Sequence, residues 1–397
     1  MSGEERRVGI SLAAIFSLRM LGLFLILPVF ALYAPSLPGG DDKTLVGLAL
    51  GAYGGTQACL QIAWGMASDR WGRKPVIVAG LLLFALGSGI AAWAPDIHWV
   101  IAGRVIQGAG AISAAITALA ADLTREEHRT KVMAMIGSSI GLIFALSMAI
   151  ASPLFAWIGM PGIFALTGVL ALAAIFVLWK NVPTPVAPAS LPPPAPLAAV
   201  LREPQLLRLN FGVFVLHLTQ MALWVLIPHA LTQTGHLPVS RHWLVYLPAV
   251  LLALAGMVPA VIAAEKRGKM KPVFLGAIFL LLMVLAGLYF AGGSVWSLFF
   301  WLTLFFIAFN ILEATQPSLI SRLAPAQSKG KALGLYNTLQ AVGLFVGGLA
   351  GGALAQHSGP GAVFLFCALM VVSWLALACG LKTPSSGDRR QVTGDRG

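Results

Sequence analysis

The sequence is dominated by a succession of apolar stretches of about 20 residues, separated by short polar segments. Hydropathy places these stretches at residues 10–34, 44–67, 76–94, 98–121, 131–153, 160–180, 206–232, 243–264, 272–291, 294–317, 332–356 and 360–381. A helix of about 20 residues crosses a hydrocarbon core of roughly 30 Å. Inside lipid, helices and closed barrels are the structures that satisfy their own backbone polar groups. The pattern therefore predicts an all-α membrane protein with twelve transmembrane helices, the first being retained and not cleaved as a signal peptide.

Composition supports this class. Of 397 residues, 58% are hydrophobic and 10% are charged, which leaves too little polar surface to cover a soluble fold. The net charge of +12 is spread over short loops between the apolar stretches. Such dispersal favours a role in membrane orientation over nucleic-acid binding, so we expect a lipid bilayer and no nucleic acid as partner.

The basic residues also predict the orientation. Of 26 lysines and arginines, Arg19 and Arg104 fall inside spans, and Lys43 and Arg241 follow odd-numbered spans. All the others lie at the termini or in loops after even-numbered spans. Because cytoplasmic loops carry the excess of positive charge, both termini are expected in the cytoplasm.

Two similar halves are indicated by the spacing of charged residues. The order acid, base, any residue, glycine, base occurs at 69–73 after span 2 and again at 265–269 after span 8. Between the sixth and seventh spans, residues 181–204 are rich in proline and predict a semi-rigid linker. We therefore expect an N-terminal six-helix domain (1–180), the linker, a C-terminal six-helix domain (205–381) and a short cytoplasmic tail (382–397).

The polar run after span 2 carries the most specific motif, formed by Gly65, Asp69, Arg70, Gly72, Arg73 and Lys74. Span 4 adds Arg104, Gln107, Gly108 and Gly110, and ends at Asp122. Together these residues resemble the signature motifs of major facilitator superfamily transporters. The resemblance implies two pseudo-symmetric six-helix bundles around a central cavity.

Shorter runs refine the resemblance. Residues 16–22 and 334–337 resemble the YajR-like bacterial inner-membrane efflux subgroup, which implies a multi-pass protein of the bacterial inner membrane. Two departures are expected to matter. The chain ends without the soluble C-terminal domain of that subgroup, and in span 5 Gly137 and Gly141 are followed by Leu142 where the antiporter motif has proline.

The resemblance also implies a gate. Asp69 would meet the positive N-terminal end of span 11, with Arg73 and Asp122 holding it in place. The contact would exist only while the cytoplasmic sides of the halves are closed, and so would favour the outward-facing state. The alternative is that this loop only sets membrane topology.

Charged or titratable residues inside spans are costly and are candidates for coupling. Glu313 is the first candidate for a proton carrier; alternatively it forms a permanent ion pair with a base on the cytoplasmic side. Arg19 could bind a substrate anion or pair with backbone carbonyls and polar neighbours, and Arg104 could act in coupling or gating. His217 could titrate near neutral pH or fill a structural role.

Polar and aromatic residues in the middle of the spans are candidates for lining the cavity: Tyr53, Gln57, Gln107, Gln220, Trp224, Asn310, Asn337 and Gln340. Few fixed charges among them favour an uncharged, cationic or amphipathic substrate.

These patterns lead to three hypotheses of function. The first is a proton-coupled exporter of small drug-like or amphipathic molecules by alternating access. A proton-symporting importer of a sugar or metabolite and a non-transporting membrane sensor are the alternatives. The sequence has no GxxxxGK[ST] or HExxH motif, so we expect no enzyme activity, cofactor or metal. The expected partners are protons and a small-molecule substrate, and the expected state is a monomer.

Overall fold

The structure, a computed structural model, describes residues 2–184, 200–290, 294–324 and 329–382. Most of the predicted linker and the predicted tail beyond Lys382 therefore lie outside the described residues. The α-helices of the described part are α1 (Gly3–Tyr33), α2 (Lys43–Trp71), α3 (Arg73–Ala92), α4 (Ile97–Ala109), α5 (Ser113–Asp122), α6 (Glu126–Asn181), α7 (Pro204–Gln233), α8 (Trp243–Glu265), α9 (Met270–Phe290), α10 (Val295–Leu323), α11 (Lys329–His357) and α12 (Pro360–Cys379).

The fourth predicted span is two helices, which corrects the sequence-based boundary. The chain leaves the helix at Gly110 and re-enters it at Ser113. A Cβ atom at Gly110 would lie 2.2 Å from the carbonyl oxygen of Gly80, so the break accompanies a close approach to α3. Both pieces still run in the same direction and together make one crossing.

The fifth and sixth spans differ from the prediction in the opposite way. They form one helical run, α6, interrupted by the single non-helical residue Gly159, whose φ is +66°. Glycine adopts this conformation without steric cost, and Pro161 follows in the first turn of the second piece. The predicted end of span 5 at Pro153 was wrong, because that proline lies inside the helix. Similarly, α10 continues through Pro317 to Leu323, six residues past its predicted end.

By length and hydropathy, ten helical segments of the described chain are apolar enough to cross a membrane. The segment 131–181 counts once among them although Gly159 divides it. Helix α2 is not among these ten, because glycine and polar residues interrupt its apolar sequence and lower its mean hydropathy. Its 29 residues nevertheless make it about 43 Å long, enough to cross the bilayer. Dividing α6 at Gly159 and including α2 gives the twelve predicted spans.

The helices alternate in direction, which gives the bundle two ends. We name the end where α1 begins and α12 ends the terminal face, and the opposite end the distal face. At the terminal face, Arg125 Nε donates to Glu5 Oε1 at 3.0 Å and the Lys382 amide donates to Gln205. At the distal face, the Lys43 amide at the start of α2 donates to Gln356 near the end of α11 at 3.0 Å.

The helices pack as two groups of six spans. In the first group α1 packs on α6, and α3 packs on α4 and α6; in the second, α7 packs on α11 and α12, and α9 packs on α10 and α12. The groups meet where α2 lies along α11, α1 touches α7, and α6 touches α8. The fold therefore places α11 between the two halves, against α2 on one side and α7 on the other.

The contact between α2 and α11 is tightest in their distal halves. A Cβ atom at Gly47 would lie 2.0 Å from the carbonyl oxygen of Gly348, and one at Gly352 would lie 2.2 Å from that of Lys43. No side chain larger than hydrogen fits at these positions. Near the terminal face, by contrast, a Cβ atom at Gly330 or Gly334 of α11 would have no neighbour within 4 Å. The structure is thus closed at the distal end of this helix pair.

Candidate functional site

A three-helix contact organises the motif after α2. Gly72, with φ +91°, makes the turn between α2 and α3. From the start of α3, the Arg73 guanidinium donates to the Asp69 carboxylate, to Ser68 Oγ at 2.8 Å, and to Asp122 Oδ2 at 2.9 Å. One arginine therefore ties α2, α3 and the end of α5. Ser68 did not emerge from the sequence, because only the fold brings its hydroxyl to Arg73.

Asp69 is the exposed member of this cluster. Its side chain is 66% accessible, against 13% for Arg73 and 19% for Asp122. Gly65 lies beside α5, since a Cβ atom at this position would be 3.7 Å from Ala114 Cβ. The described partner of Asp69 is Arg73, which belongs to the same half of the molecule. Of the two other basic residues in the motif, Arg70 is exposed and Lys74 is half-buried.

The equivalent loop of the second half is built differently. Gly268, with φ +68°, turns the chain between α8 and α9 as Gly72 does in the first half. Here the acid, Glu265, accepts from Ser318 Oγ at 2.8 Å and from the Arg322 guanidinium, both on α10. Glu265 is thus held by a base from another helix, α10, whereas Asp69 is held by Arg73, four residues further along the same loop.

Deep in the first half, Arg19 of α1 is completely buried. Its guanidinium donates to the Tyr53 hydroxyl on α2 and to Ser113 Oγ on α5 at 3.2 Å. The Arg19 guanidinium carbon also lies 5.6 Å from the centre of the Tyr53 ring. The observed partners of Arg19 are polar neighbours, as the second alternative expected, and neither of them is a carboxylate.

Arg104 of α4 lies on the other side of the same tyrosine, 5.3 Å from its ring centre. It donates to the backbone carbonyls of Ala49 at 3.2 Å and Leu50 at 3.4 Å, and to Gln107 Oε1 at 2.8 Å. Arg104 therefore holds the distal half of α2, the part that packs on α11.

Gln107 extends this network and is fully buried. Its amide donates to Ser88 Oγ on α3 at 2.8 Å, and Thr167 Oγ1 on α6 lies 2.9 Å from the same hydroxyl. In this conformation Gln107 presents no surface to a cavity. Ser88 and Thr167 gave no signal in the sequence, because hydroxyl groups on helices commonly bond to their own backbone, as Ser88 also does to Phe84.

Three predicted residues meet in the second half. His217 of α7 is buried; its Nδ1 lies 3.0 Å from the carbonyl oxygen of Val213, and its Nε2 lies 2.7 Å from Gln340 Nε2 on α11. Glu313 Oε2 on α10 lies 3.5 Å from the same Nε2. Glu313 and His217, expected separately as coupling candidates, thus form one pair, with Gln340 as a third member. We name these residues the histidine cluster.

The surroundings of the histidine cluster contain polar atoms without partners. Glu313 Oε2 and the hydroxyl of Tyr336 on α11 are buried and make no hydrogen bond within the described structure, and the same holds for Asn310 Nδ2. Tyr336 lies within electrostatic reach of Glu313, and its place beside Asn337 in the sequence is the signal that could have found it. Phe309 stacks edge-on against His217, with ring centres 5.6 Å apart.

Within the described structure, the remaining cavity candidates form no hydrogen bond to the arginine network of the first half or to the histidine cluster. Gln57 and Asn337 are half-buried, whereas Gln220 and Trp224 are buried. Trp224 packs against Tyr246 of α8, with ring centres 5.6 Å apart. No group of three or more potential metal ligands occurs among the described residues.

Comparisons with known proteins agree with this architecture. The family model described as Major Facilitator Superfamily matches residues 12–347, with a second match at 209–396. The chain is 43% identical over 97% of its length to Inner membrane transport protein YajR of Escherichia coli, covering 85% of that protein. It is 27% identical over 84% of its length to Multidrug resistance protein MdtH of Proteus mirabilis, covering 83% of that protein.

Among solved structures, a bacterial homologue of the human lysosomal transporter Spinster aligns with a TM-score of 0.76 over 96% of this chain and 97% of that one. At 14% identity it supports the fold alone. The chain therefore belongs to the major facilitator superfamily, and it is a multi-span membrane transporter of the YajR-like subgroup.

Proposed function

We propose that this transporter is a proton-coupled exporter of small drug-like or amphipathic molecules, working as a monomer by alternating access in the bacterial inner membrane. The observation that carries the proposal is the pair of His217 and Glu313, two titratable groups in contact inside the C-terminal half. A membrane interior tolerates such groups only where they have a partner or water, and they mark proton pathways in many transporters.

The partner of Glu313 favours a proton carrier over the alternative of a permanent ion pair. A permanent pair needs a base that is always charged, such as lysine or arginine. The described ion-pair partner of Glu313 is a histidine, which is charged only when it is protonated. The Glu313 side chain is also 38% accessible, although its Oε2, the oxygen that faces His217, is buried.

The two ends of the α2–α11 pair support alternating access. The distal contact through Gly47 and Gly348 is closed, while Asp69 at the terminal end is largely exposed. We propose that the terminal face is cytoplasmic, as the basic loops predict, and that this structure is the inward-facing state. On closing of that face, Asp69 would reach the first turn of α11, and the halves 1–180 and 205–381 would move about the linker.

The substrate class follows from the mid-span residues. Gln57, Asn310, Asn337 and Gln340 are polar, uncharged and partly accessible. Arg19 and Arg104 are buried beside Tyr53 and do not face an open space in this state. This surface suits an uncharged, cationic or amphipathic molecule better than a multiply charged anion, which needs several basic groups. The relative named a multidrug resistance protein points to the same class.

Import by proton symport is the second candidate function. Leu142 replaces the proline of the antiporter motif and is 70% exposed on α6, so the residue on which that motif depends is absent here. The non-transporting sensor is not favoured by any observation of the structure.

A transport assay separates export from import. Inside-out membrane vesicles containing the protein would be given an acidic interior, and a panel of cationic, neutral and anionic amphipaths would be offered outside. We expect uptake of cationic or neutral compounds that collapses when a protonophore is added. Uptake that depends on the reversed gradient would identify a symporter, and no gradient dependence with any compound would refute proton coupling.

A further inference from the structure

Gln340 occupies a position that gives it a role beyond lining a cavity. It is the member of the histidine cluster that belongs to α11, the helix packed between the two halves. The next residue, Ala341, is in direct contact with α2, since a Cβ atom at Gly54 would lie 2.6 Å from its carbonyl oxygen. A change in the hydrogen bond between Gln340 and His217 therefore acts on α11, the helix that forms the distal closure with α2.

The hydrogen bonds around His217 are those of a neutral ring with its hydrogen on Nδ1. The carbonyl of Val213 can only accept, so Nδ1 at 3.0 Å carries a hydrogen and donates. In the neutral ring Nε2 then has only a lone pair, and it accepts from the Gln340 amide at 2.7 Å. Glu313 Oε2, 3.5 Å from Nε2, faces a nitrogen that offers it no hydrogen, and accordingly makes no bond.

One added proton cannot coexist with this arrangement. If the proton binds to His217 Nε2, the nitrogen becomes a donor to Glu313 and can no longer accept from Gln340. If it binds to Glu313 Oε2, the hydroxyl competes with the Gln340 amide for the single lone pair of Nε2. In the first case the Gln340 N–H must leave, and its amide must turn to present oxygen or find another partner. In the second case the bond is weakened, because two donors share one lone pair.

We propose that Gln340 is the positioning residue through which the protonation of His217 and Glu313 acts on α11. This inference rests on the proposed proton coupling. Without the proton, Gln340 ties α11 to α7 and supports the closed distal contact. With the proton, that bond is lost and α11 is free to part from α2.

The other titratable groups around His217 are few. Glu313 faces it from α10, Tyr336 lies beside Glu313 on α11, and Cys367 of α12 contacts Thr219 of α7. Within the described structure, no titratable group of α1 or α2 forms an ion pair or hydrogen bond with His217. A pH response at this point is therefore assigned to the histidine cluster.

The test measures the distal opening as a function of pH without substrate or gradient. Spin labels would be attached at His98 and Ser240, exposed distal positions in the two halves, after replacing Cys59 and Cys379 by serine. Distance distributions in lipid nanodiscs would be recorded at about pH 5.5 and about pH 8.5, on either side of the ordinary histidine range. Reaction of Glu313 with a carbodiimide, which requires the protonated carboxyl, reports protonation independently.

We expect the ratio of open to closed distal states to rise about tenfold at low pH in the unmodified protein. Gln340→Leu keeps the side-chain size but cannot form the bond, so its ratio should be nearly independent of pH while carbodiimide labelling of Glu313 remains pH-dependent. Gln340→Asn, one methylene shorter, should behave the same and serves if the leucine variant does not fold. Thr338→Val, also on α11, removes a hydroxyl that bonds to the backbone of its own helix at Gly334; it is the matched control and should keep the full response.

The outcomes distinguish a failure of the proposed role of Gln340 from a failure of the proposed proton coupling. A full pH response in folded Gln340→Leu or Gln340→Asn would overturn the role of Gln340 and leave proton coupling intact. Loss of the response in Thr338→Val as well would overturn it too, because the effect would then belong to α11 in general. An unmodified protein whose distal distance and Glu313 labelling both ignore pH would refute the proposed coupling itself.

Discussion

The deep polar groups of the two halves have opposite characters. In the N-terminal half, Arg104 has hydrogen-bond partners for all three guanidinium nitrogens, and Arg19 for both terminal ones, with only its Nε unpartnered. In the C-terminal half, Glu313, Tyr336 and Asn310 each have a buried polar atom without a protein partner in the described structure. The arginine network of the first half is nearly saturated, whereas the groups around Glu313 in the second half leave hydrogen-bonding capacity unused.

This difference separates two roles that intramembrane polar residues can have. A saturated network with permanently charged arginines has one stable arrangement, and it holds α1, α2 and α4 together. A cluster with open donors and acceptors can take up a proton or water and change its arrangement, because burying an unpaired polar atom costs free energy that a new partner recovers. The comparison supports the proposal that the first half is a scaffold and that the second half couples transport to protons.

The largest expected effect is on driven transport when the carboxylate of the second half is removed. Glu313→Gln keeps the size and a polar group but cannot carry the proton. We expect flux driven by a pH gradient to fall to the level of protein-free vesicles, while substrate binding and substrate exchange continue. Counterflow and gradient-driven uptake in the same proteoliposomes measure the two. Gradient-driven flux at the unmodified level in folded Glu313→Gln would show that the second half does not couple.

A pair of tyrosines sharpens the contrast in stability. Tyr53→Phe removes the hydroxyl that accepts from buried Arg19, so the free energy of unfolding should fall by about 1–3 kcal/mol. Tyr336→Phe removes a hydroxyl with no described protein partner, so its effect should stay within about 0.5 kcal/mol. Reversible unfolding in mixed micelles gives both values. Equal losses in the two variants would contradict the assignment of a saturated network to one half alone.

The smallest expected effect compares the two loops at the terminal face. Asp69→Asn removes a charge that would favour the first turn of α11 in the outward-facing state, so the ratio of outward- to inward-facing molecules should fall roughly five- to thirtyfold. Glu265→Gln is the matched control, because its partners Ser318 and Arg322 move with it in the same half. Spectroscopic distances across the terminal mouth report the ratio. If Asp69→Asn leaves it unchanged, the loop sets topology and does not gate.

Much of the fold could be predicted because hydropathy and spacing are local properties. The succession of apolar spans, the glycine turns at Gly72 and Gly268, and the two-half organisation all follow from patterns that the chain displays in order. The errors lie where a helix ends. Gly110 and Gly159 break helices in ways that depend on the approach of a neighbouring backbone or on one residue's φ, and Pro153 and Pro317 are accommodated inside helices.

The site could be predicted only residue by residue. Glu313, His217 and Gln340 each stand out as polar residues in apolar helices, but they are separated by 96 and 27 positions along the chain. Nothing local reveals that the side chains of Glu313 and Gln340 meet at one nitrogen atom of His217, or that Ser68 joins Asp69 and Asp122 as a partner of Arg73. Sequence determined the membrane class, the family and the candidates, because burying apolar side chains and orienting basic loops are sums over local composition. Tertiary structure alone decided which candidates are saturated and which remain open, because hydrogen-bond partnership depends on distances between helices that the sequence does not contain.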